Sequence, residues 1–174
     1  MRLLACALAA LFVQSQALAA PPVHSARAAR DVARLPEGDV VPALTAASDG
    51  RPVITLRQAV CVFADAEPSA APYTAKSAEE CARINRVTAV AREGGLVRLR
   101  VKAGKYHLQV MNTAAPWATG FELKGEHDPS LPRVNGEGIA PGTGKLFPVE
   151  LTPGEYVYRC PVMQTPAYRL LVEG

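Results

Sequence analysis

The stretch that decides the fold is LFPVELTPGEYVYRC, residues 146–160, which leads into a proline and a nearby methionine. Side chains of an extended strand alternate between its two faces, so Cys160 shares one face with the two tyrosines of YVY. Pro161 has no amide hydrogen to give to a ladder, so the strand must stop directly after Cys160. Met163 then lies in a loop beside the thiol, and we expect two sulfur groups close together at the rim of a sheet.

Short strands recur through the rest of the chain from residue 52 onward. In LVRLRVK, residues 96–102, apolar residues alternate with basic ones, which predicts a half-buried antiparallel strand. Many short runs separated by turn residues favour an all-β sandwich or barrel. The runs are PVITL, AVCVF, VTAVA, LVRLRVKA, YHLQVMN, KLFPVEL, EYVYRC and YRLLV.

The first fifty residues have a different composition. Residues 1–19 carry one arginine, an apolar run and small residues before two prolines, which is typical of a cleavable signal peptide. Residues 20–50 form a leader rich in Ala, Pro and Arg, and residues 51–174 form the domain. We therefore expect a periplasmic or secreted protein without a transmembrane segment in the mature chain. The formal charge of +3 is spread along the chain and predicts no nucleic-acid partner.

Three cysteines remain after cleavage, and thiols tend to pair in an oxidising compartment. Cys61 and Cys81 lie in a segment that looks like an addition to the domain, and we pair those two. Ser77 and Glu80 in SAEECARINR form a capping box that predicts a short helix around Cys81. Cys160 becomes the odd thiol, which suggests a ligand, a reactive group or an intermolecular bridge. Pairing of Cys160 with either other cysteine and simple burial as an apolar residue remain open.

Three pieces of the chain together resemble the cupredoxin family, in particular its small periplasmic copper-binding members. They are VKAGKYHLQVMN at 101–112, LFPVELTPGEYVYRC at 146–160 and the closing YRLLVEG at 168–174, and the resemblance covers residues 86–174. The resemblance implies a Greek-key β-sandwich with a metal site at one end. That site would lie between the loop after Asn112 and the loop after Cys160.

The resemblance also implies a ligand set, which this sequence meets only in part. Family copper sites use two His, one Cys and usually an axial Met, and Cys160 matches the thiolate. Met163 stands where the second His would be, and the loop after Asn112, TAAPWATGFEL, contains no His. Thiolate and thioether favour Cu(I), so Cys160 and Met163 with a further donor are expected to hold copper. The candidate for that donor is His127 in GEHDPSLP.

The function that follows is an exported cupredoxin-like protein that binds copper, as Cu(I), for handling or delivery to a periplasmic donor or acceptor protein. The alternative is a cupredoxin-like interaction module that has lost its metal, which the missing histidines favour. A redox-active thiol at Cys160 is a third interpretation and would need a lowered thiol pKa. No nucleophile and base pair is identifiable, so we do not expect an enzyme.

Overall fold

The structure is a computed structural model that describes residues 38–174. The predicted signal peptide and most of the predicted leader therefore lie outside the described residues. One helix, α1, spans Ala78–Arg92 and is followed by a short 3₁₀ turn at Glu93–Gly95. The strands are β1 Asp39–Val40, β2 Leu44–Ala46, β3 Pro52–Ala59, β4 Val62–Phe63, β5 Arg98–Lys102, β6 Gly104–Asn112, β7 Thr119–Gly125, β8 Val134–Ile139, β9 Gly144–Leu151, β10 Gly154–Arg159 and β11 Tyr168–Glu173.

The strands form two sheets, which confirms the predicted β-sandwich. One sheet has the order β1-β5-β11-β10-β7-β8, and the other has the order β2-β3-β6-β9 with β4 attached to β3. The inner faces of both sheets supply the core, and buried residues alternate with more exposed ones most clearly along β5, β6, β10 and β11. In β10 the side chains of Tyr156, Tyr158 and then Cys160 are at most 1% exposed, as the alternation predicted.

Strand β5 differs from its prediction in the direction of its partners. Its apolar residues Leu99 and Val101 are buried, as expected. However, β5 pairs in parallel with β1 on one side and with β11 on the other, so the antiparallel assignment is wrong. Alternation shows which face of a strand is buried, but it contains no information about the direction of the neighbouring strand.

Two short strands come from residues assigned to the leader. β1 pairs with β5, and β2 pairs with β3, so sheet pairing begins before residue 51. Asp39 in β1 is held by the guanidinium groups of Arg98 and Arg100 in β5. The hydrogen bond from Arg98, with the charge of Arg100, holds the pKa of Asp39 below its usual range despite partial desolvation. These ion pairs tie the start of the described chain to the sandwich.

The helix forms as its capping box predicts and continues through VTAVA at 87–91, so the inclusion of that run among the predicted strands is wrong. The Ser77 hydroxyl accepts a hydrogen bond from the Glu80 amide, and the Glu80 carboxylate accepts one from the Lys76 amide. Cys81 in the first turn is bonded to Cys61, which confirms the predicted disulfide. AVCVF is not one continuous strand, because Cys61 adopts a left-handed φ of 66° in the turn between β3 and β4.

The centre of the core is a cluster of aromatic rings. Phe63 packs edge-on against Tyr158 and Tyr168, with centroid distances of 5.2 and 5.4 Å. The Tyr168 hydroxyl donates to the buried Glu67 carboxylate at 2.5 Å and accepts from the Phe63 amide at 3.3 Å. Arg92 of α1 pairs with the same carboxylate at 3.3 Å. The helix is thus attached to the sandwich by a buried ion pair as well as by the disulfide.

No helix among residues 38–174 is long and apolar enough to cross a membrane.

The disulfide should contribute substantially to stability, because it closes a loop of 20 residues. We expect the Cys61→Ala/Cys81→Ala double variant to lose about 3 kcal/mol of unfolding free energy in the chain-entropy picture. Urea unfolding of the mature protein followed by circular dichroism measures this loss. Cys160→Ser, which keeps the disulfide, is the control, and a double variant as stable as the parent would contradict the prediction.

Removing the buried hydroxyl of Tyr158 and that of Tyr168 should have different effects on the free energy of unfolding. Tyr158 is fully buried and its hydroxyl has no hydrogen-bond partner in the described part of the chain, so Tyr158→Phe should leave stability unchanged or raise it slightly. Tyr168→Phe strips a partner from the buried Glu67 carboxylate and should cost about 1–3 kcal/mol. Chemical denaturation measures the unfolding free energy of both variants. Equal losses of stability would contradict the different hydrogen bonding of the two hydroxyls.

Candidate metal centre

The candidate site lies at the end of β10, where the chain turns toward β11. Cys160 and Met163 are both 0% exposed. The turn between them is closed by Thr165, whose hydroxyl oxygen accepts from the Cys160 amide at 3.0 Å and whose own amide donates to the Cys160 carbonyl at 3.3 Å. We call residues 160–165 the thiol loop. The backbone amide of Met163 faces the Cys160 sulfur, and both side chains lie inside the core rather than at an open rim.

Two features of the surroundings of the Cys160 sulfur act on its pKa in opposite directions, namely burial and nearby backbone amides. Burial raises the pKa of the Cys160 thiol, since a thiolate is poorly solvated there. Backbone amides of Gly120, Met163 and Val162 face the sulfur and favour the thiolate, although they do not outweigh burial. Without a bound cation the group is therefore a protonated thiol at neutral pH. This rules against a redox cysteine with a lowered pKa.

A buried polar clamp joins the end of β3 to the start of β7. The Gln58 side chain at the end of β3 donates to the Gly120 carbonyl at 2.7 Å and accepts from the Thr119 hydroxyl. A Cβ at Gly120 would lie 3.3 Å from a Val162 methyl group and 3.2 Å from the Gly136 carbonyl oxygen, so only glycine fits without displacement. The clamp keeps the Gly120 amide close to the sulfur.

The loop after β6 forms the neighbouring wall. The Asn112 side chain is fully buried and donates to the carbonyl oxygens of Trp117 at 2.8 Å and Ile139 at 3.2 Å. Its own oxygen accepts from the Ala115 amide at 3.0 Å. Asn112 therefore shapes this loop through backbone contacts, and the loop presents no imidazole or carboxylate donor, because residues 113–118 contain neither.

Helix α1 contributes one further contact to the thiol loop. Asn85 is 1% exposed, and its side-chain nitrogen donates to the Met163 carbonyl oxygen at 2.8 Å. Asn85 lies one helical turn after Cys81, so the disulfide fixes the turn of the helix from which this hydrogen bond comes. The predicted addition to the domain thus reaches the candidate site.

His127 lies at the other end of the sandwich from Cys160. It follows Gly125, which pairs with Tyr156 near the start of β10, whereas Cys160 follows the end of that strand. Five residues of strand separate Glu155 from Cys160, a distance of about 16 Å. His127 is 81% exposed beside Glu126 and Glu155. The structure does not bring His127 to the sulfurs, which corrects its assignment as the third donor.

His107 is equally remote from the thiol. It lies in the middle of β6, where its Nε2 contacts the Asp49 carboxylate at 2.8 Å. This contact holds the pKa of Asp49 below its usual range. With His127 also excluded, neither histidine between residues 38 and 174 reaches the thiol loop.

The donors that the site does offer decide which ion fits. A blue copper centre requires two imidazoles with the thiolate, and the described residues do not supply them, so this site does not fit that centre. A buried cysteine sulfur that backbone amides face, with a thioether residue in the same loop, could serve a soft monovalent ion such as Cu(I) once the thiol is deprotonated.

Comparisons with known proteins return only structural neighbours. No family model and no curated protein matches the chain. Rusticyanin from Thiobacillus ferrooxidans is 19% identical, with 46% of this chain and 64% of that chain covered and a TM-score of 0.35. A purple cupredoxin from Nitrosopumilus maritimus is 15% identical, with coverage of 43% and 76% and a TM-score of 0.35. A reduced amicyanin variant is 13% identical, with coverage of 77% and 97% and a TM-score of 0.41.

The match spans just under two thirds of the rusticyanin chain. The strand order and register of the chain itself carry its assignment as a β-sandwich.

Sequence reasoning missed three residues that shape the site, namely Gln58, Asn85 and Thr165. Gln58 had a usable signal, because it continues the inward alternation of Ile54 and Leu56 with a polar side chain. Asn85 and Thr165 had none, since their roles depend on contacts between distant parts of the chain or on the closure of a turn.

The burial of Cys160 predicts an unusual alkaline profile. In the unreduced mature protein we expect the alkylation rate of Cys160 by iodoacetamide to rise only above the pH at which an ordinary thiol ionises, near 8.5. The raised folded-state pKa also means that stability is constant below the unfolded thiol pKa and falls as pH rises through the folded value. Mass spectrometry follows the label, with Cys160→Ser as the blank. A midpoint below 8.5 would contradict this account.

Proposed function

We propose that this chain is an exported protein that holds Cu(I) through Cys160 and Met163 for copper handling or delivery. The observation that carries the proposal is the fully buried Cys160 sulfur, faced by three backbone amides in the loop that also carries Met163. Hydrogen bonds to a sulfur favour its anionic form, and a thiolate is the state that binds metal. Binding releases the Cys160 proton to solvent, and the ion takes its place as the charge partner of the thiolate.

The donor set favours holding over electron transfer. Thiolate and thioether sulfur stabilise Cu(I), and no imidazole in the described region is available to serve Cu(II). The ion would arrive from and leave to another carrier, which makes a periplasmic copper donor or acceptor protein the expected partner. Both sulfurs are shielded from solvent. Cu(I) can therefore enter only if the thiol loop or the loop after β6, residues 113–118, opens.

The second candidate is a metal-free interaction module, favoured by the complete burial of the thiol and by the remote positions of both described histidines. In that case Cys160 is a small core residue whose raised pKa reflects burial alone. The two candidates differ in one measurable property, which is tight and stoichiometric Cu(I) binding.

Anaerobic titration with Cu(I) against a chromophoric chelator tests the proposal. We expect one equivalent to bind the parent, none to bind Cys160→Ser at comparable affinity, and at least tenfold weaker binding by Met163→Leu, which keeps volume but removes the thioether. His127→Ala is the matched control and should bind like the parent, because His127 lies at the far end of the sandwich.

The same titration repeated across pH provides a second test. Below the Cys160 pKa, each unit of pH decrease should weaken Cu(I) binding about tenfold, because one thiol proton competes with the ion. Parent-like affinity of Cys160→Ser would exclude the site. If the parent binds no Cu(I) although a thiol count shows that Cys160 is free, the metal-free interaction module is the correct candidate.

A further inference from the structure

We infer that Asn85 of helix α1 is a positioning residue that holds the thiol loop closed over Cys160 and thereby sets how readily the sulfur is reached and how fast a bound Cu(I) leaves. The part concerning Cu(I) rests on the proposed function, whereas the part concerning thiol access does not. The contact that motivates the inference is the hydrogen bond from the Asn85 amide nitrogen to the Met163 carbonyl oxygen at 2.8 Å.

The burial of this hydrogen bond makes its loss costly. Asn85 is 1% exposed and Met163 is 0% exposed, so water cannot replace either partner without the loop moving. A buried carbonyl left without its donor loses more than an exposed one, because it has been removed from water and given nothing in return. The Asn85 side-chain oxygen has no partner among the described residues, so this single hydrogen bond accounts for the residue's polar contact with the loop.

The loop also needs to be held, because its backbone is strained. Gln164, directly after Met163, adopts a left-handed φ of 47°, which residues with a Cβ seldom do. Such a conformation persists only where surrounding contacts determine it. Here those contacts are the Thr165 hydrogen bonds, the hydrogen bond from the Gln164 amide to the Pro161 carbonyl oxygen at 3.3 Å and the Asn85 hydrogen bond. Of these, only the Asn85 hydrogen bond comes from another element of the fold, so its removal leaves the strained turn held by its own hydrogen bonds.

The chain anchors Asn85 firmly enough for this role. Cys81, one turn earlier, is bonded to Cys61, and Arg92, two turns later, pairs with the buried Glu67 carboxylate. The helix therefore cannot follow the loop when the loop moves. An opening of the loop must break the Asn85 hydrogen bond, so the strength of that bond enters the opening equilibrium directly.

The test compares Asn85→Leu, which keeps size but removes the donor, with Thr88→Val on the same helix. The Thr88 hydroxyl donates to the Ile84 carbonyl and accepts from Arg92, both within the helix, and makes no hydrogen bond to the thiol loop among residues 38–174, so Thr88→Val also controls for a weakened Arg92 anchor. We expect Asn85→Leu to raise the iodoacetamide alkylation rate of Cys160 in the metal-free protein about tenfold, and Thr88→Val to leave it unchanged at equal pH.

The dependence of alkylation on urea separates positioning from general destabilisation. Local opening of the loop exposes little surface, so the extra alkylation in Asn85→Leu should be nearly independent of urea at low concentrations. If the increase instead follows the steep urea dependence of global unfolding, Asn85 is only a stability residue and the inference is overturned.

The rate at which Cu(I) leaves the protein is the second measurement, and it depends on the proposed function. In Asn85→Leu, transfer of Cu(I) to a chelator should be about tenfold faster than in the parent and in Thr88→Val. If the parent binds no Cu(I), the proposed function fails while the alkylation arm still decides the role of Asn85. Tight binding with unchanged transfer and alkylation rates would overturn the inference and leave the proposed function standing.

Should Asn85→Leu fail to fold, the parent itself gives the answer by NMR. The hydrogen-bonded side-chain amide proton of Asn85 should exchange with solvent far more slowly than that of the exposed Asn135. Equal exchange rates for the two side chains would overturn the inference.

Discussion

The constraint on which the structure depends is the burial of the inner face of β10, where two tyrosines and Cys160 are shielded from water in succession. A face this apolar has to be covered by a second layer, and Phe63 of β4 packs edge-on against the Tyr158 ring from the opposite sheet. A thiol at the next inward position is then carried into the core as well. Its burial, and hence its raised pKa, follows from the same alternation that builds the sandwich.

Much of this could be predicted from local patterns. The alternation in β5, β6 and β10 gave the buried faces, and the Ser77 and Glu80 pair marked the start of the helix. The patterns could not supply relations between distant segments. They did not reveal that β5 runs parallel to both neighbours, nor that β1 and β2 join the sheets through short pairings. Direction and pairing depend on connections across the whole chain, and two- or three-residue strands have too little sequence to show a period.

Only the part of the candidate site that is local in sequence could be predicted. Cys160 and Met163 are three residues apart, so a proline-terminated strand was enough to place them in one loop. A third donor had to come from elsewhere in the chain, and proximity in sequence says nothing about that. His127 is a reasonable candidate only until the register of β7 and β10 is known, because this register puts it at the end of β10 opposite to the thiol. A polar residue on an inward-facing position, as at Gln58, proved the better signal of a site.

The helix changes how the site should be understood. Without the helix, the hydrogen bonds of its own turn would hold the thiol loop, beside the β7 strand that Gln58 clamps. The added segment brings a disulfide, a buried ion pair and one amide hydrogen bond to the same loop. The first two fix the helix and only the third contacts the loop, so the hold on the loop depends on the helix being anchored. Because both sulfurs are shielded completely, the thiol loop or a neighbouring segment has to move before anything in solvent can reach them.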